Sequence, residues 1–195
     1  MSDPAVMQLR ILSEITRDAL EKYRPATLAV FGCAGGNGFE HIDPGITIAV
    51  HGVDINREYL KATCERYGQS IPGLQLHSLD LDTETIPFRN IDLGIAALVL
   101  EYLDVGIAIG KMAGTLQKGG ILLIVLVNYS EGSSFVSPGK YKSLQQLSTI
   151  SKIINEHGII AILPEYDLFI EERSSIKVND QKQFIILHCR KQINS

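Results

Sequence analysis

The stretch Leu28-Ala-Val-Phe-Gly-Cys-Ala-Gly-Gly-Asn-Gly38 constrains the fold of this chain more than any other. Residues 28–31 are apolar or small and read as a buried strand. They run straight into a glycine-rich turn, and Phe39-Glu40-His41-Ile42 then opens a short helix over residues 36–41. Glycine has no Cβ, so such a turn lets bare backbone approach a ligand. The helix start behind it offers unpaired N–H groups. Glycine also serves ordinary connecting turns, so the case for a nucleotide-type ligand rests on the surroundings.

Strand and helix alternate around this stretch. Residues 6–23 form a helix with Met7, Ile11, Ile15, Ala19 and Leu20 near the helical period. Asp3-Pro4 starts it and Arg24-Pro25 ends it. A strand over 46–53 closes on Asp54, and a helix over 56–67 follows with Asn56 as its cap. A third strand covers 74–79, an acidic loop 80–89 and a fourth strand 91–100. A helix over 103–116 is expected to stop at Lys118-Gly119-Gly120. The fifth strand, 121–127, is apolar throughout, as a parallel strand covered on both faces should be. This order implies right-handed crossovers and a parallel sheet between two helical layers. The remainder reads as a polar loop over 128–142, a helix over 143–157 closed by Gly158, and strands over 159–170 and 182–191. A polar connector, 171–181, separates those strands, so the last strand should be antiparallel. The whole is one domain: an N-terminal helix (1–24), a ligand-binding core (28–127) and a substrate-side remainder (128–195).

Composition narrows the function. A hydrophobic content of 45% supports a substantial core. The net charge of −4 argues against a general nucleic-acid surface. Cys33, Cys64 and Cys189 are odd in number and far apart, which suits free thiols in a reducing compartment. No basic stretch followed by an apolar run opens the sequence, and the apolar run 121–127 is too short to span a bilayer. The expectation is a cytoplasmic protein without a membrane or nucleic-acid partner. His41, His51, His77, His157 and His188 show no ligand spacing, so no metal is assigned.

In open α/β sheets ligands sit outside the carboxyl ends of the strands. Asp54 ends the second strand, 18 residues after Gly36 (54 − 36), where a carboxylate can accept bonds from two ribose hydroxyls. Asp80 and Asp82 end the third strand, placed for an adenine amino group, and residues 98–102 follow the fourth, beside a reacting centre. The joint pattern suits an adenosine. A dinucleotide fingerprint read from Gly32 requires glycines where Ala34 and Asn37 stand, and read from Gly36 it meets His41. S-adenosylmethionine has no pyrophosphate to cradle and fits better.

On these residues the chain resembles the class I S-adenosylmethionine-dependent methyltransferases. Val30-Phe-Gly-Cys-Ala-Gly-Gly36 is similar to the first family motif, Val53-Asp54-Ile55-Asn56 to the second, and Leu81-Asp82-Thr-Glu-Thr-Ile86-Pro87-Phe88 to the third. Ile91-Asp92-Leu93 and 97–103 resemble the fourth, and 116–123 the junction into the fifth strand. The resemblance implies a three-layer Rossmann-like fold with a seven-stranded, mostly parallel sheet and an antiparallel last strand. It implies S-adenosylmethionine held by Gly32, Cys33, Ala34, Gly36, Asp54, Ile55, Asp80, Leu81, Asp82 and Leu98. By analogy Glu101 is the catalytic base, and Tyr102, Tyr129 and Glu131 line the acceptor site. The acceptor is expected to be a small molecule, recognised by the N-terminal helix and the 128–142 loop; a homodimer stays open. Val30 stands where the family often carries an acid, leaving Asp80, Asp82 or Glu101 to compensate. That departure motivates the alternative, a non-catalytic Rossmann-like binding or partner subunit.

Overall fold

The computed structural model describes residues 4–129 and 154–193. Helix α1 spans Pro4–Tyr23, followed by β1 (Thr27–Phe31), β2 (Ala49–Asp54), α2 (Arg57–Tyr67), β3 (Leu74–Ser78) and β4 (Ile91–Ala97). Then come α3 (Val105–Thr115), β5 (Leu116–Tyr129), α4 (Glu156–Ile162), β6 (Leu168–Asn179) and β7 (Lys182–Lys191). The strands form one seven-stranded sheet in the order β3-β2-β1-β4-β5-β7-β6. The first five are parallel, while β7 runs antiparallel to both β5 and β6. From β1 the chain winds outward to β2 and β3, then returns to lay β4 on the other side. The switch point is therefore between β1 and β4.

Two cores flank the sheet. On one face α1 contributes Ile11, Ile15, Ala19 and Leu20, and α2 contributes Leu60, against Leu28, Val50, Leu93 and Leu123. On the other, Ile109 and Met112 of α3 and Ile159 of α4 pack on Phe31, Val53, Leu122 and Leu187. Each such side chain taken wholly out of water contributes roughly 1.5–3 kcal/mol. The amino edge is clamped by polar bonds. Thr27 N–H and its hydroxyl both donate to Asp92 Oδ2, at 2.8 and 3.0 Å, and Asp92 N–H donates back to Thr27 Oγ1 at 2.9 Å. The ends of β1 and β4 opposite this clamp are thereby aligned.

Several elements differ from the sequence reading. The fourth strand ends at Ala97 because Leu98 takes a left-handed backbone (φ 54°) and residues 100–102 form a 3-10 turn. Lys118-Gly119-Gly120 does not stop a helix. Helix α3 ends at Thr115, and these residues sit inside β5, where the register to β4 shifts and Gly119 adopts φ 77°. The helix over 143–157 lies mostly outside the described residues. Its end is instead the start of α4: Asn155 Oδ1 accepts from His157 N–H, and Gly158 lies within that helix. Ile159 to Ile162 are therefore helical rather than a strand, despite their β-branching, because Ile159 and Leu163, four apart, must share the buried face. Residues 171–179 belong to strand β6 rather than to a connector. Their polarity reflects an edge position, paired on one side only. The turn is two residues, Asp180-Gln181, and Asn179 Oδ1 accepts from Gln181 N–H. Among the described residues no helix is long and apolar enough to cross a membrane.

Between β2 and β3, His51 Nδ1 and His77 Nε2 share a hydrogen bond of 3.1 Å, and His51 stacks on Phe88 with ring centroids 4.1 Å apart. Burial lowers both imidazoles below their ordinary values, and His77 lowers His51 further. One ring must accept, so the pair needs at least one neutral imidazole. A depressed folded-state pKa leaves stability untouched above the unfolded value and erodes it below. Stability measured by urea unfolding should therefore hold above about pH 6.5 and fall as pH drops through the interval beneath it. The double variant His51→Phe, His77→Leu should show a shallower acid slope; an unchanged slope would discard the pair as its source.

Candidate active site at the carboxyl edge of the sheet

The switch point gathers most of the expected residues. Beyond Phe31 the chain leaves β1 and folds over β2, with Gly32 and Cys33 N–H both donating to Val53 carbonyl oxygen at 2.8 and 3.0 Å. Gly32 has φ 71°, and a Cβ there would lie 2.7 Å from Val99 Cγ2, so the turn closes directly on the segment after β4. A Cβ on Gly36 (φ 77°) would meet the Tyr67 ring at 2.8 Å, which makes that glycine a condition for packing the turn on α2. Gly35 has nothing within 4 Å of its missing side chain, so this backbone faces open space. Ala34 is exposed and left-handed at φ 44°, a conformation that alanine adopts at a cost of about 1 kcal/mol. Cys33 is buried, and burial pushes its thiol up to about 12, so it contributes backbone and no thiolate.

Asp54 ties the turn to the second strand. Its Oδ2 accepts from Ala34 N–H at 2.8 Å and its Oδ1 from Asn56 N–H at 2.9 Å. A carboxylate offers about four acceptor positions, so each oxygen retains one. The neighbouring Ile55 is 69% exposed, and Tyr59 on α2 is also exposed. These are apolar surfaces beside a carboxylate at a strand end. Across from them Asp80 Oδ1 accepts from Asp82 N–H at 2.9 Å, and that bond, first among several, holds Asp80 below the usual carboxylate value. Asp82 Oδ1 accepts from Asp104 N–H at 2.8 Å, fastening the loop to α3. Leu81 points into the core and its carbonyl accepts from Lys111 Nζ at 2.9 Å. Only the loop backbone at Leu81 remains for a ligand.

Val30 is buried with the α1–α2 core. A second acid bonded to the turn is one that the sequence alone did not single out, Glu40. Its Oε2 accepts from Gly38 N–H (2.9 Å) and Tyr67 O–H (3.1 Å), and its Oε1 from Ser13 O–H (2.6 Å). Burial acts to raise Glu40, but these bonds outweigh it and hold the group below its ordinary value. Glu40 thus joins α1, α2 and the glycine turn. Its place two residues after the last turn glycine, Gly38, was the available signal.

Beyond β4 the environment changes. Leu98, partly buried and left-handed, donates its N–H to Val125 carbonyl oxygen at 2.9 Å. Glu101 follows in the 3-10 turn and is only 4% exposed. Its Oε1 accepts from Val127 N–H on β5 at 3.2 Å, while its Oε2 has no hydrogen-bond partner among the described residues. Burial raises the Glu101 carboxyl above its usual value, against smaller opposing effects of its backbone bonds and of Lys182. Tyr102 and Tyr129 stand close enough that the Glu101 charge, after burial, pushes both phenols up. Lys182, at the start of β7, completes this group and was not anticipated. It is readable only once the antiparallel β5–β7 pairing sets it opposite Tyr129. Glu131 lies outside the described residues. Among the described residues no three His, Cys, Asp or Glu side chains gather as a metal set.

The edge thus has two halves: a backbone-rich turn with Asp54, and a buried carboxylate ringed by phenols. A family model for the methyltransferase domain matches residues 29–124. No curated protein sequence matches the chain significantly. Among solved structures, the N-methyltransferase NodS from Bradyrhizobium japonicum in complex with S-adenosyl-L-homocysteine is 18% identical, with a TM-score of 0.70 over 93% of this chain and 86% of that one. The geranyl diphosphate C-methyltransferase of Streptomyces coelicolor, with Mg2+, geranyl diphosphate and S-adenosyl-L-homocysteine, is 12% identical, with a TM-score of 0.70 over 93% and 80%. The [4+2]-cyclase SpnF is 15% identical, with a TM-score of 0.71 over 93% and 82%. At such identities the structural likeness speaks for the fold, and the family match for the lineage. Over residues 29–124, from β1 into β5, the chain matches the methyltransferase-domain family model, and it shares the Rossmann-like fold of these structures.

Proposed function

We propose that this enzyme transfers the methyl group of S-adenosylmethionine to a small-molecule acceptor whose reacting oxygen or nitrogen lies at Glu101. The observation that carries this reading is the orphaned Glu101 Oε2, buried on the same edge as the glycine turn and Asp54. The residues present suit the cofactor. Gly32, Cys33, Ala34 and Gly36 shape a turn whose open backbone at Gly35 can lie against the methionine part. The spare acceptor positions on Asp54 match two ribose hydroxyls, and exposed Ile55 offers an apolar face for adenine. Asp80, Asp82 and the Leu81 backbone bound the adenine side, and Leu98 is the first residue after β4. The bound cofactor supplies an already activated sulfonium methyl, so this chain chiefly positions and orients.

Glu101 supplies the acid–base function. A donor hydrogen on the acceptor satisfies its free oxygen, and the raised basicity of a buried carboxylate favours taking that proton as the methyl arrives. Tyr102 and Tyr129 close the acceptor side with ring faces and phenolic hydroxyls. The carboxylate is costly while it waits. A buried acceptor left without a partner costs about 1–3 kcal/mol.

Two outcomes follow. Calorimetry should detect micromolar S-adenosylhomocysteine binding by the wild type. Asp54→Ala should weaken it about a hundredfold or more, and Asp54→Asn less, with melting curves checking the fold. Absence of binding by the wild type sinks the reading. A raised folded-state pKa means that Glu101 loses stability as pH rises from the ordinary carboxylate range through the elevated value. Glu101→Gln should therefore stabilise the fold at neutral pH by about 1 kcal/mol, read as a higher melting point, and lower methyl transfer about a hundredfold. A variant that is less stable than wild type at pH 7 would remove the basis for this role.

A further inference from the structure

Lys182 is a cation at the Glu101 end of the carboxyl edge that the cofactor does not explain. It pairs in register with Tyr129, the last residue of β5. Its Nζ lies 5.6 Å from the Tyr129 ring centroid and 5.7 Å from that of Phe184, and it donates to Gln8 Oε1 near the start of α1. An ammonium has three hydrogens to donate. Lys182 does not reach Glu101 Oε2, which has no hydrogen-bond partner among the described residues. The two groups thus feel each other's charge without a hydrogen bond or ion pair between them. A structural pair would close to contact, since leaving either group short of a partner in a desolvated place is costly. Burial lowers the Lys182 ammonium by more than Glu101 raises it, and burial raises Glu101 by more than Lys182 lowers it. Neither group offsets the burial of the other.

We propose that Lys182 binds an anionic group of the acceptor, a carboxylate or a phosphate, while the hydroxyl or amine of the same molecule donates to Glu101. The inference rests on the methyltransferase reading of this cleft. It assigns the acceptor class: a small molecule with a nucleophilic donor at one end and an anion at the other. An acceptor with a cationic head group would need the faces of Tyr129 and Phe184, which the Lys182 ammonium already covers.

The test uses the full chain loaded with S-adenosylhomocysteine and ligand-observed NMR titrations. The probes are glycine, β-alanine, γ-aminobutyrate and aminoethylphosphonate, each against the alkylamine of matching length without the anion. At least one zwitterion should bind about tenfold or more tighter than its amine, as a charge-assisted bond provides. Lys182→Met should erase that preference and Lys182→Arg should keep part of it, a rescue that a merely structural role does not give. Lys182→Gln replaces the Met variant if the latter does not fold. Equal binding of zwitterions and amines overturns the proposal, as does a preference that survives in the variants. Calorimetry with S-adenosylhomocysteine alone keeps the two readings apart. Failure there sinks the methyltransferase reading, whereas cofactor binding without anion preference sinks only the role of Lys182.

Discussion

The pairing of β1 with parallel neighbours on both sides is the constraint on which this molecule depends. A strand buried on two faces must satisfy its backbone within the sheet, and β1 does so against β2 and β4. Where the pairing ends, the next two N–H groups turn sideways to a single carbonyl of Val53. That turn is what brings backbone to the sheet's edge, and the Thr27–Asp92 clamp at the far end keeps the strand ends level. Asp54 then holds Ala34 in place. The site is therefore a by-product of how a buried strand runs out of partners.

The parallel half was legible in the sequence because its signals are local and strong. Residues 121–127 are apolar without interruption, and Asp54 and the glycines stand at fixed offsets from buried runs. The antiparallel end was less legible, for a physical reason. Strand β6 is an edge, so half of its backbone answers to water and its side chains carry no buried alternation. Its charges read as a connector, although Asn179-Asp180 marked the turn. Helix α4 misled through its isoleucines, whose preference for strands yields to the four-residue spacing of Ile159 and Leu163 on the core.

The site shows the same gradient. Asp54 and Glu101 could be placed because each follows directly from a recognisable strand end. Lys182 could not, because its position depends on the register of two strands more than fifty residues apart in sequence. Glu40 could not, because its partners come from α1, α2 and the turn together. What the sequence hid was in each case a meeting of distant segments. The two halves of the edge also differ in kind: the glycine turn is held by backbone bonds, whereas the buried Glu101 carboxyl has one bonded oxygen and one without a partner among the described residues.

Strand β6 has one more consequence. A twelve-residue strand at the rim of a sheet presents a row of unpaired amides, which is a template for another chain. Here Glu171, Glu172, Arg173 and Lys177 stud that rim, several of them tied into ion pairs with Arg190, Lys22, Glu156 and Asp180. An incoming strand would have to strip water from those charges and break those pairs before it gained a ladder bond. The polarity that disguises β6 as a loop in the sequence is thus also its guard against fibrillar self-association.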